Sequence, residues 1–312
     1  MRKLMLTLSL FVTGSLFGTA SSAGDTPPMA EGPSSPEVVE VKHGGLTRTA
    51  LVYVPSRYDG KTPIPLVLSF HGRHGQGKDQ ANLSELHKVG ERKGFLVVYP
   101  DGVARSWNAG VGTGDAADRG IDDVGFVDAL MDKLAERYRI DPDRVYASGV
   151  SNGGFFVHRL ACERSNRFAA IATVAGEMLP ALAKDCRVAS PVAVLIFHGT
   201  RDPYVPYKGG QTKGSGIALS SEEAANVWSR NNGSTGEWKE TFKKGDVHCR
   251  TSEGGRAPVR LCTVEGAGHT WPGGLQYMPK LLVGSTNRDV NASEMIWEFF
   301  EANPKRRTPG PR

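Results

Sequence analysis

The strongest constraint on the fold is residues 145–162, which read VYASGVSNGGFFVHRLAC. An apolar run typical of a strand leads into Gly149-Val150-Ser151-Asn152-Gly153, and a run typical of a helix follows it. A strand, a tight turn and a helix around G-x-S-x-G form a nucleophile elbow, which exposes the serine hydroxyl. Glycine is needed on both sides because strand and helix pass close together there. The stretch predicts that Ser151 is a nucleophile, although G-V-S-N-G alone also fits an ordinary turn.

Strand-like and helix-like segments alternate along most of the chain. Continuous apolar runs, typical of strands buried on both faces, cover residues 64–70, 95–99, 169–174 and 192–197. Helical spacing of apolar residues is found in 78–93, 122–138, 222–231 and 292–300. Residues 37–54 and 240–264 have the alternation of hairpins, the first at a sheet edge. The pattern predicts an α/β fold with a mainly parallel central sheet flanked by helices and an antiparallel N-terminal edge hairpin.

Two further polar residues follow predicted strands. Asp202 comes shortly after the strand at 192–197, and His269 lies in a glycine-rich segment after the hairpin at 240–264. Ligands bind at the carboxyl ends of strands in such sheets. The order serine, acid, histidine is that of α/β-hydrolases. We therefore predict a triad in which Asp202 orients His269 and His269 takes the proton of Ser151.

Other acids and histidines compete for two of these roles. Asp202 precedes a proline and also fits a simple turn. The alternative acids are Asp101, Asp122 and Asp123, of which either of the last two is also a candidate cap for the helix that follows. The alternative bases are His71, His74, His158, His198 and His248. We expect His158 to be structural and His71 and His198 to orient loops at strand ends.

A tetrahedral oxyanion needs two preorganised N–H donors. One is predicted to be the backbone N–H of Asn152, directly after the nucleophile at the start of a helix. The other is predicted to be the backbone N–H of Arg73, in the glycine-rich loop after the strand at 64–70.

The two ends of the chain differ in composition from the middle. Residues 1–23 have a basic start, an apolar run and small residues before Ala23, which is typical of a secretory signal. The apolar run is short for a membrane span, so no stable membrane insertion is expected. Residues 24–36 are interpreted as a flexible lead-in, 37–303 as one catalytic domain and 304–312 as a disordered basic tail. A secreted or periplasmic protein is expected.

Charge and cysteine content narrow the possible partners. Between residues 24 and 303 the chain has 32 lysines and arginines against 33 acids, so no nucleic-acid face is expected. The four cysteines of an exported chain favour disulfides. Cys162 with Cys186 and Cys249 with Cys262 are preferred because each pair closes a short loop. Zinc is the alternative, but no C-x-x-C spacing is present and the 101–121 loop does not match a calcium site. No metal or cofactor is predicted.

With these residues in place, the chain resembles the secreted esterases of the polyhydroxybutyrate depolymerase type, which are similar to bacterial feruloyl and acetylxylan esterases. The matching segments are 68–72, 95–102 (FLVVYPDG), 121–126 (IDDVGF), 149–153, 198–207 (HGTRDPYVPY) and 266–273 (GAGHTWPG). The resemblance implies Ser151 as nucleophile, Asp202 as acid, His269 as base and Trp271 near the substrate. Relatives often have a cysteine where this chain has Asn232-Gly233-Ser234, so their disulfide pattern does not transfer.

The expected function is that of a serine carboxylic ester hydrolase acting through an acyl-enzyme on polyhydroxybutyrate or its oligomers. The alternative substrate is feruloylated or acetylated plant polysaccharide. An alternative of a different class is a non-catalytic polysaccharide or wall binder on a hydrolase scaffold. An intact triad argues against it, because a binder needs none of the three residues.

Overall fold

A mixed β-sheet of ten strands runs through the computed structural model, which describes residues 35–305. The first strands are β1 (Glu37–His43), β2 (Leu46–Tyr53), β3 (Ile64–Phe70), β4 (Leu96–Pro100), β5 (Ile140–Val150), β6 (Ala170–Val174) and β7 (Ala193–Gly199). A short separate pair, β8 (Gly210–Gln211) and β9 (Ile217–Ala218), is followed by β10 (Trp238–Lys244), β11 (Val247–Ser252) and β12 (Val259–Val264). The predicted signal sequence and nearly all of the lead-in and tail lie outside the described residues.

The helices follow in chain order. They are α1 (Gly77–Ser84), α2 (Leu86–Lys93), α3 (Asp115–Asp118), α4 (Asp123–Arg137), α5 (Asn152–Glu163), α6 (Pro180–Asp185), α7 (Ser221–Asn231), α8 (Lys280–Val283) and α9 (Ala292–Glu301), with a short 3₁₀ turn at Val103–Arg105. Helices α4, α5 and α7 pack on one face of the sheet, and α1, α2 and α9 on the other. Among the helices within residues 35–305, none combines the length and the hydropathy needed to span a bilayer.

The strand order in the sheet is β1-β2-β4-β3-β5-β6-β7-β12-β11-β10. Its centre is parallel from β4 through β3, β5, β6 and β7 to β12, and antiparallel strands lie at both edges. The predicted mainly parallel sheet between helices is confirmed, as is the antiparallel hairpin β1–β2 at its edge.

Successive side chains of a central strand lie in two different hydrophobic cores, one on each face of the sheet. Leu66 and Leu68 of β3 belong to the core under α4, α5 and α7, whereas Val67 belongs to the core under α1, α2 and α9. Because side chains of a strand alternate between its faces, a strand covered on both sides must be apolar at nearly every position. This is why the central strands are recognisable in the sequence as continuous apolar runs.

Two predicted elements are wrong in detail. The single helix predicted over 78–93 is broken into α1 and α2 at Glu85, whose φ of 50° lies in the left-handed region. The single hairpin predicted over 240–264 is three strands, because the turn with Gly254 and Gly255 separates β11 from β12. β12 pairs with β11 on one side and, in parallel, with β7 on the other.

Both preferred disulfides are confirmed. Cys162, in α5, is bonded to Cys186, which follows α6. Cys249 and Cys262 are directly opposite each other on β11 and β12 and are bonded across the two strands. The second bond therefore fixes the register of the strand that leads to His269.

Candidate active site

Ser151 occupies the sharp turn between β5 and α5 with φ 54° and ψ −124°, a conformation that few residues other than glycine adopt. A Cβ atom added at Gly149 would lie 2.5 Å from the Gly153 carbonyl oxygen. A Cβ at Gly153 would lie 2.3 Å from the carbonyl oxygen of Phe70. Both glycines of the motif are thus required by close approach of the backbone, and the turn is a strained elbow rather than an ordinary loop.

The side chain of Ser151 lies against the loop that follows β3. The serine and this loop approach each other at Gly72, where an added Cβ atom would lie 3.3 Å from the Cβ of Ser151. The serine is partly exposed. Within residues 35–305 its hydroxyl has no hydrogen-bond partner.

Asp202 and His269 are brought together although 67 residues separate them: His269 Nδ1 lies 2.7 Å from Asp202 Oδ2. The other carboxylate oxygen, Oδ1, accepts the backbone N–H groups of Tyr204 at 2.8 Å and Val205 at 2.9 Å. Burial alone would raise the pKa of Asp202, but the neighbouring His269 and a hydrogen bond from His198 hold it well below its ordinary value. An ionised carboxylate accepts hydrogen bonds only, so Nδ1 of His269 carries a proton and Nε2 is left free to act as a base.

The loop that carries His269 is held by the segment following it. The backbone N–H of His269 donates to the Val283 carbonyl at 2.6 Å, and the Tyr277 hydroxyl donates to the His269 carbonyl at 3.0 Å. The ring of Tyr204 lies 5.2 Å from the imidazole, centroid to centroid. These contacts fix the backbone of His269 and cover one face of its ring.

The strand order explains why the three residues share one edge of the sheet. Ser151 follows β5, Asp202 follows β7 and His269 follows β12, and these strands run parallel with β6 between β5 and β7. Ser151 and His269 are not hydrogen-bonded to each other in this structure. Serine–histidine bonds of resting enzymes are often long and tighten only with substrate.

The predicted oxyanion donors are both unengaged. The backbone N–H groups of Arg73 and Asn152 have no acceptor among residues 35–305. The Arg73 side chain points elsewhere, donating to the Gly214 carbonyl at 2.7 Å and pairing with Asp115 at 3.2 Å. It thereby links the loop after β3 to the β8–β9 hairpin.

His71 shapes the same loop. The Gly102 backbone N–H donates to its Nε2 at 2.9 Å, so the ring proton is on Nδ1, which donates to the Gly72 carbonyl at 2.8 Å. Burial lowers the pKa of His71 to about 4, which keeps the ring neutral. His71 therefore orients a loop, as its place at a strand end predicts.

The competing acids and bases have other partners. Asp122 caps α4 by accepting from the Gly125 N–H, whereas Asp123 is buried against Arg48, and Asp101 accepts from Thr49 and from the Gly77 N–H. His158 is buried and accepts the Trp228 indole N–H, as expected of a structural residue, and burial lowers its pKa to about 4. None of these four side chains is hydrogen-bonded to Ser151 or to His269.

Trp271, which the resemblance places near the substrate, has a fully buried side chain whose indole N–H donates to the Ser293 hydroxyl at 3.1 Å. The residue packs in the core on the face of the sheet that carries α1, α2 and α9.

The Asn152 side chain has a role that the sequence did not indicate. Its amide oxygen accepts the Trp107 N–H at 2.7 Å, and its amide nitrogen donates to the carbonyls of Trp107 and Thr113. It anchors the long 101–121 loop beside the elbow. The only sequence signal was the length of that loop, since loops of this length in a domain are often functional.

The region beside the site contains a polar cavity of about 660 Å³. Asp202 borders it, but Ser151 and His269 do not, so it is separate from the reacting groups. Its other charged or titratable lining residues are Tyr207, Lys208, Glu222, Glu240, His248, Arg250 and Glu265. Among residues 35–305, no cluster of three or more histidine, cysteine or acidic side chains has the geometry to hold a metal ion.

The sequence is similar to those of several known proteins. Residues 81–184, which include the elbow, match the prolyl oligopeptidase family (Peptidase_S9). The chain is 28% identical to the putative esterase NocK of Nocardia uniformis subsp. tsuyamanensis, over 94% of this chain and 96% of that protein. It is 29% identical to feruloyl esterase B of Piromyces equi, over 71% of this chain and 42% of that protein.

Solved structures give the same architecture. The acetyl xylan esterase of Aspergillus awamori superposes with a TM-score of 0.60 at 15% identity, covering 85% of this chain and 99% of that one. The ferulic acid esterase of Anaeromyces mucronatus superposes with a TM-score of 0.56 at 17% identity, covering 89% of this chain and 93% of that one. Together with the elbow and the strand order, these likenesses show that the chain has the α/β-hydrolase fold. Feruloyl and acetylxylan esterases are among the proteins that it resembles in sequence or in structure, as its motifs predicted.

Proposed function

We propose that this chain is a serine carboxylic ester hydrolase that works through an acyl-enzyme on Ser151. The observation that carries the proposal is the 2.7 Å contact of Asp202 with His269 at the sheet edge where Ser151 sits on a strained elbow. The names of its relatives, esterases in each case cited above, support ester rather than peptide bonds.

The reaction follows from the positions of the groups. His269 Nε2 takes the proton of Ser151 as the hydroxyl oxygen attacks the ester carbonyl, and Asp202 stabilises the imidazolium that forms. The oxyanion is bound by the N–H groups of Asn152 and Arg73, each worth about 3 kcal/mol of transition-state stabilisation. His269 then protonates the leaving alcohol. A water molecule that gives a proton to His269 next releases the acid from the acyl-enzyme.

For the substrate, we favour feruloyl or acetyl esters of plant polysaccharide. The support is that relatives over much of the chain include feruloyl esterases and a bifunctional acetylxylan esterase/xylanase of Neocallimastix patriciarum. Export is part of the proposal: residues 1–23 have the composition of a secretory signal, and disulfides such as these two persist in oxidising compartments.

A polyester of hydroxybutyrate is the second candidate, favoured by one feature. Large apolar side chains are exposed along the segment that holds His269 in place, including Leu275, Met278, Leu281 and Leu282, and Leu281 is 95% exposed. A water-insoluble or weakly soluble polyester gains from apolar contact beside the site, whereas a sugar chain gains little.

Two measurements test the proposal. A fluorophosphonate probe is expected to label Ser151 in the folded protein and to leave Ser151→Ala unlabelled, and absence of labelling in the wild type would overturn the esterase assignment in favour of a non-catalytic binder. Release of ferulate and acetate from arabinoxylan is then compared with release of 3-hydroxybutyrate from its oligomers, with Ser151→Ala as the blank. Faster release from the oligomers would reverse the preferred substrate class.

A further inference from the structure

A second buried chain of polar groups lies behind Asp202, on the side away from His269. It consists of His198 at the end of β7, Glu177 in the loop after β6 and Ser221 at the start of α7. The side chains of His198 and Glu177 are completely buried. The acyl-transfer steps above use none of these three residues. Ionisable side chains are nevertheless almost never fully buried unless they are paired with another group.

The distances connect this chain directly to the triad. His198 Nδ1 lies 2.7 Å from Glu177 Oε1, which also accepts the Ser221 hydroxyl at 2.8 Å. On the opposite side of the ring, His198 Nε2 lies 2.9 Å from the Val205 carbonyl oxygen and 3.3 Å from Asp202 Oδ2. Asp202 Oδ2 is therefore placed between two imidazole rings, those of His269 and His198.

The partners of His198 determine its protonation. The Val205 carbonyl and the Asp202 carboxylate accept hydrogen bonds only, so Nε2 carries a proton. His198 Nδ1 also lies 2.8 Å from the Ser221 hydroxyl oxygen, whose own proton is donated to Glu177 Oε1. Nδ1 therefore faces two oxygen atoms that accept from it, that of the Glu177 carboxylate and that of the Ser221 hydroxyl, so it carries a proton. With protons on both nitrogens, His198 is an imidazolium paired with Glu177.

The surroundings favour this charged form. Burial disfavours a charge on His198, but hydrogen bonds and charge from Asp202 and Glu177 outweigh it and raise its pKa to about 10. From the other packed elements, the neutral His158 of α5 faces Glu177, the Tyr207 ring lies 5.8 Å from the His198 ring, and His269 lies across Asp202.

We propose that His198 is a positioning residue for the ester hydrolysis proposed above: its buried imidazolium, held by Glu177, keeps Asp202 ionised and aimed at His269. The contact to Val205 fixes the loop that presents Asp202, because that loop also supplies the two N–H groups on Asp202 Oδ1. The positive charge moderates the field of Asp202 at His269.

The charge state is tested first, by a measurement that does not depend on activity. Protein labelled with ¹⁵N in histidine is examined by long-range ¹H–¹⁵N NMR at pH 8, with His198→Gln identifying the signals of His198. Both ring nitrogens are expected to have the shifts of protonated nitrogens, in contrast to the neutral rings of His71 and His158. One unprotonated nitrogen on His198 at pH 8 overturns the proposal.

The effect on the reaction is tested with Glu177→Gln/His198→Gln, which replaces the ion pair by a neutral hydrogen-bonding pair and leaves no buried charge unpaired. We expect kcat to fall about tenfold with KM unchanged, because a misdirected Asp202 no longer orients His269 for proton transfer while the contacts that bind the substrate are untouched. His248→Asn, at a half-buried histidine that lies 3.5 Å from Glu240 and contacts neither His269 nor His198, is the control and should behave as wild type.

The outcomes separate the possible failures. A double variant that folds and keeps the kcat of the wild type would show that the pair does not position Asp202 for the reaction and would overturn the proposal. If that variant does not fold, the NMR measurement on the wild type still decides. If the wild type hydrolyses no ester and Ser151 is not labelled, the proposed function fails, while the protonation of His198 is still read independently.

Discussion

The Asp202 carboxylate has partners on both oxygens: two backbone N–H groups on Oδ1 and two histidines around Oδ2. Such a group is held in one orientation, and the orientation decides which nitrogen of His269 carries the proton. The tautomer of His269 therefore depends on where the side chain of Asp202 places a single oxygen atom.

Replacing Asp202 with Asn should reduce kcat by roughly 10³- to 10⁴-fold, because an amide NH₂ facing Nδ1 favours the tautomer with its proton on Nε2. Steady-state kinetics on a soluble ester checks this. Asp122→Asn is the matched control: asparagine caps a helix as well as aspartate does, so activity and stability should remain at the wild-type level. A large loss in the control with none at Asp202 would reassign the acid.

The sequence allowed us to predict those residues of the site that come directly after the ends of strands. Ser151, Asp202 and His269 each come after a recognisable strand, and parallel strands bring their carboxyl ends to one edge. Glu177 has no such signal, since its contact with His198 depends on how the loop after β6 folds over β7. The full burial of Trp271 could not be predicted either, because the sequence gives the order of the residues in the His269 loop but not which of their side chains face inward.

At the scale of elements, the break between α1 and α2 is the clearest departure from the sequence pattern. Apolar spacing continues through the break, so periodicity predicts one helix. The structure has Glu85 in the left-handed region, where a side chain with a Cβ is disfavoured. Tertiary contacts, such as the donation of the His87 N–H to the Tyr99 hydroxyl at 3.0 Å, hold α2 in its own direction.

Glu85→Gly should therefore stabilise the protein by up to about 1 kcal/mol, because glycine adopts this conformation without strain. Glu136→Gly is a matched comparison. Both glutamates are exposed and pair with a lysine three residues away, Lys88 and Lys133 respectively, but Glu136 lies within α4. Its replacement should cost up to about 1 kcal/mol. Urea denaturation of both variants measures the two signs, and destabilisation of both by the same amount would contradict the role assigned to Glu85.

At the scale of the whole molecule, three buried histidines give stability a pH dependence with two sides. The pKa values of His71 and His158 are lowered to about 4, below the value near 6.5 of an unfolded chain. Their contribution is present above pH 6.5 and is lost as pH falls towards 4. The pKa of His198 is raised to about 10, so its contribution is present below pH 6.5 and is lost as pH rises towards 10.

We expect the melting temperature to be highest near pH 6.5 and to fall in both directions, since shifts of this size correspond to roughly 3 kcal/mol each for His71 and His158 and roughly 5 kcal/mol for His198. Differential scanning fluorimetry from pH 4 to 10 measures the profile. Glu177→Gln/His198→Gln should flatten the alkaline side and leave the acid side unchanged. An alkaline decline as steep as that of the wild type would contradict the assignment of that side to His198.

The bond between Cys249 and Cys262 has a consequence for where His269 lies. A slip of one residue between β11 and β12 turns each side chain to the opposite face, so these two sulfurs meet only when the strands are correctly aligned. The same alignment sets where β12 ends and thus where His269 is delivered. All four cysteines of the chain are used in the two bonds. The disulfide therefore locks β12 in the one alignment that places His269 at the edge of the sheet.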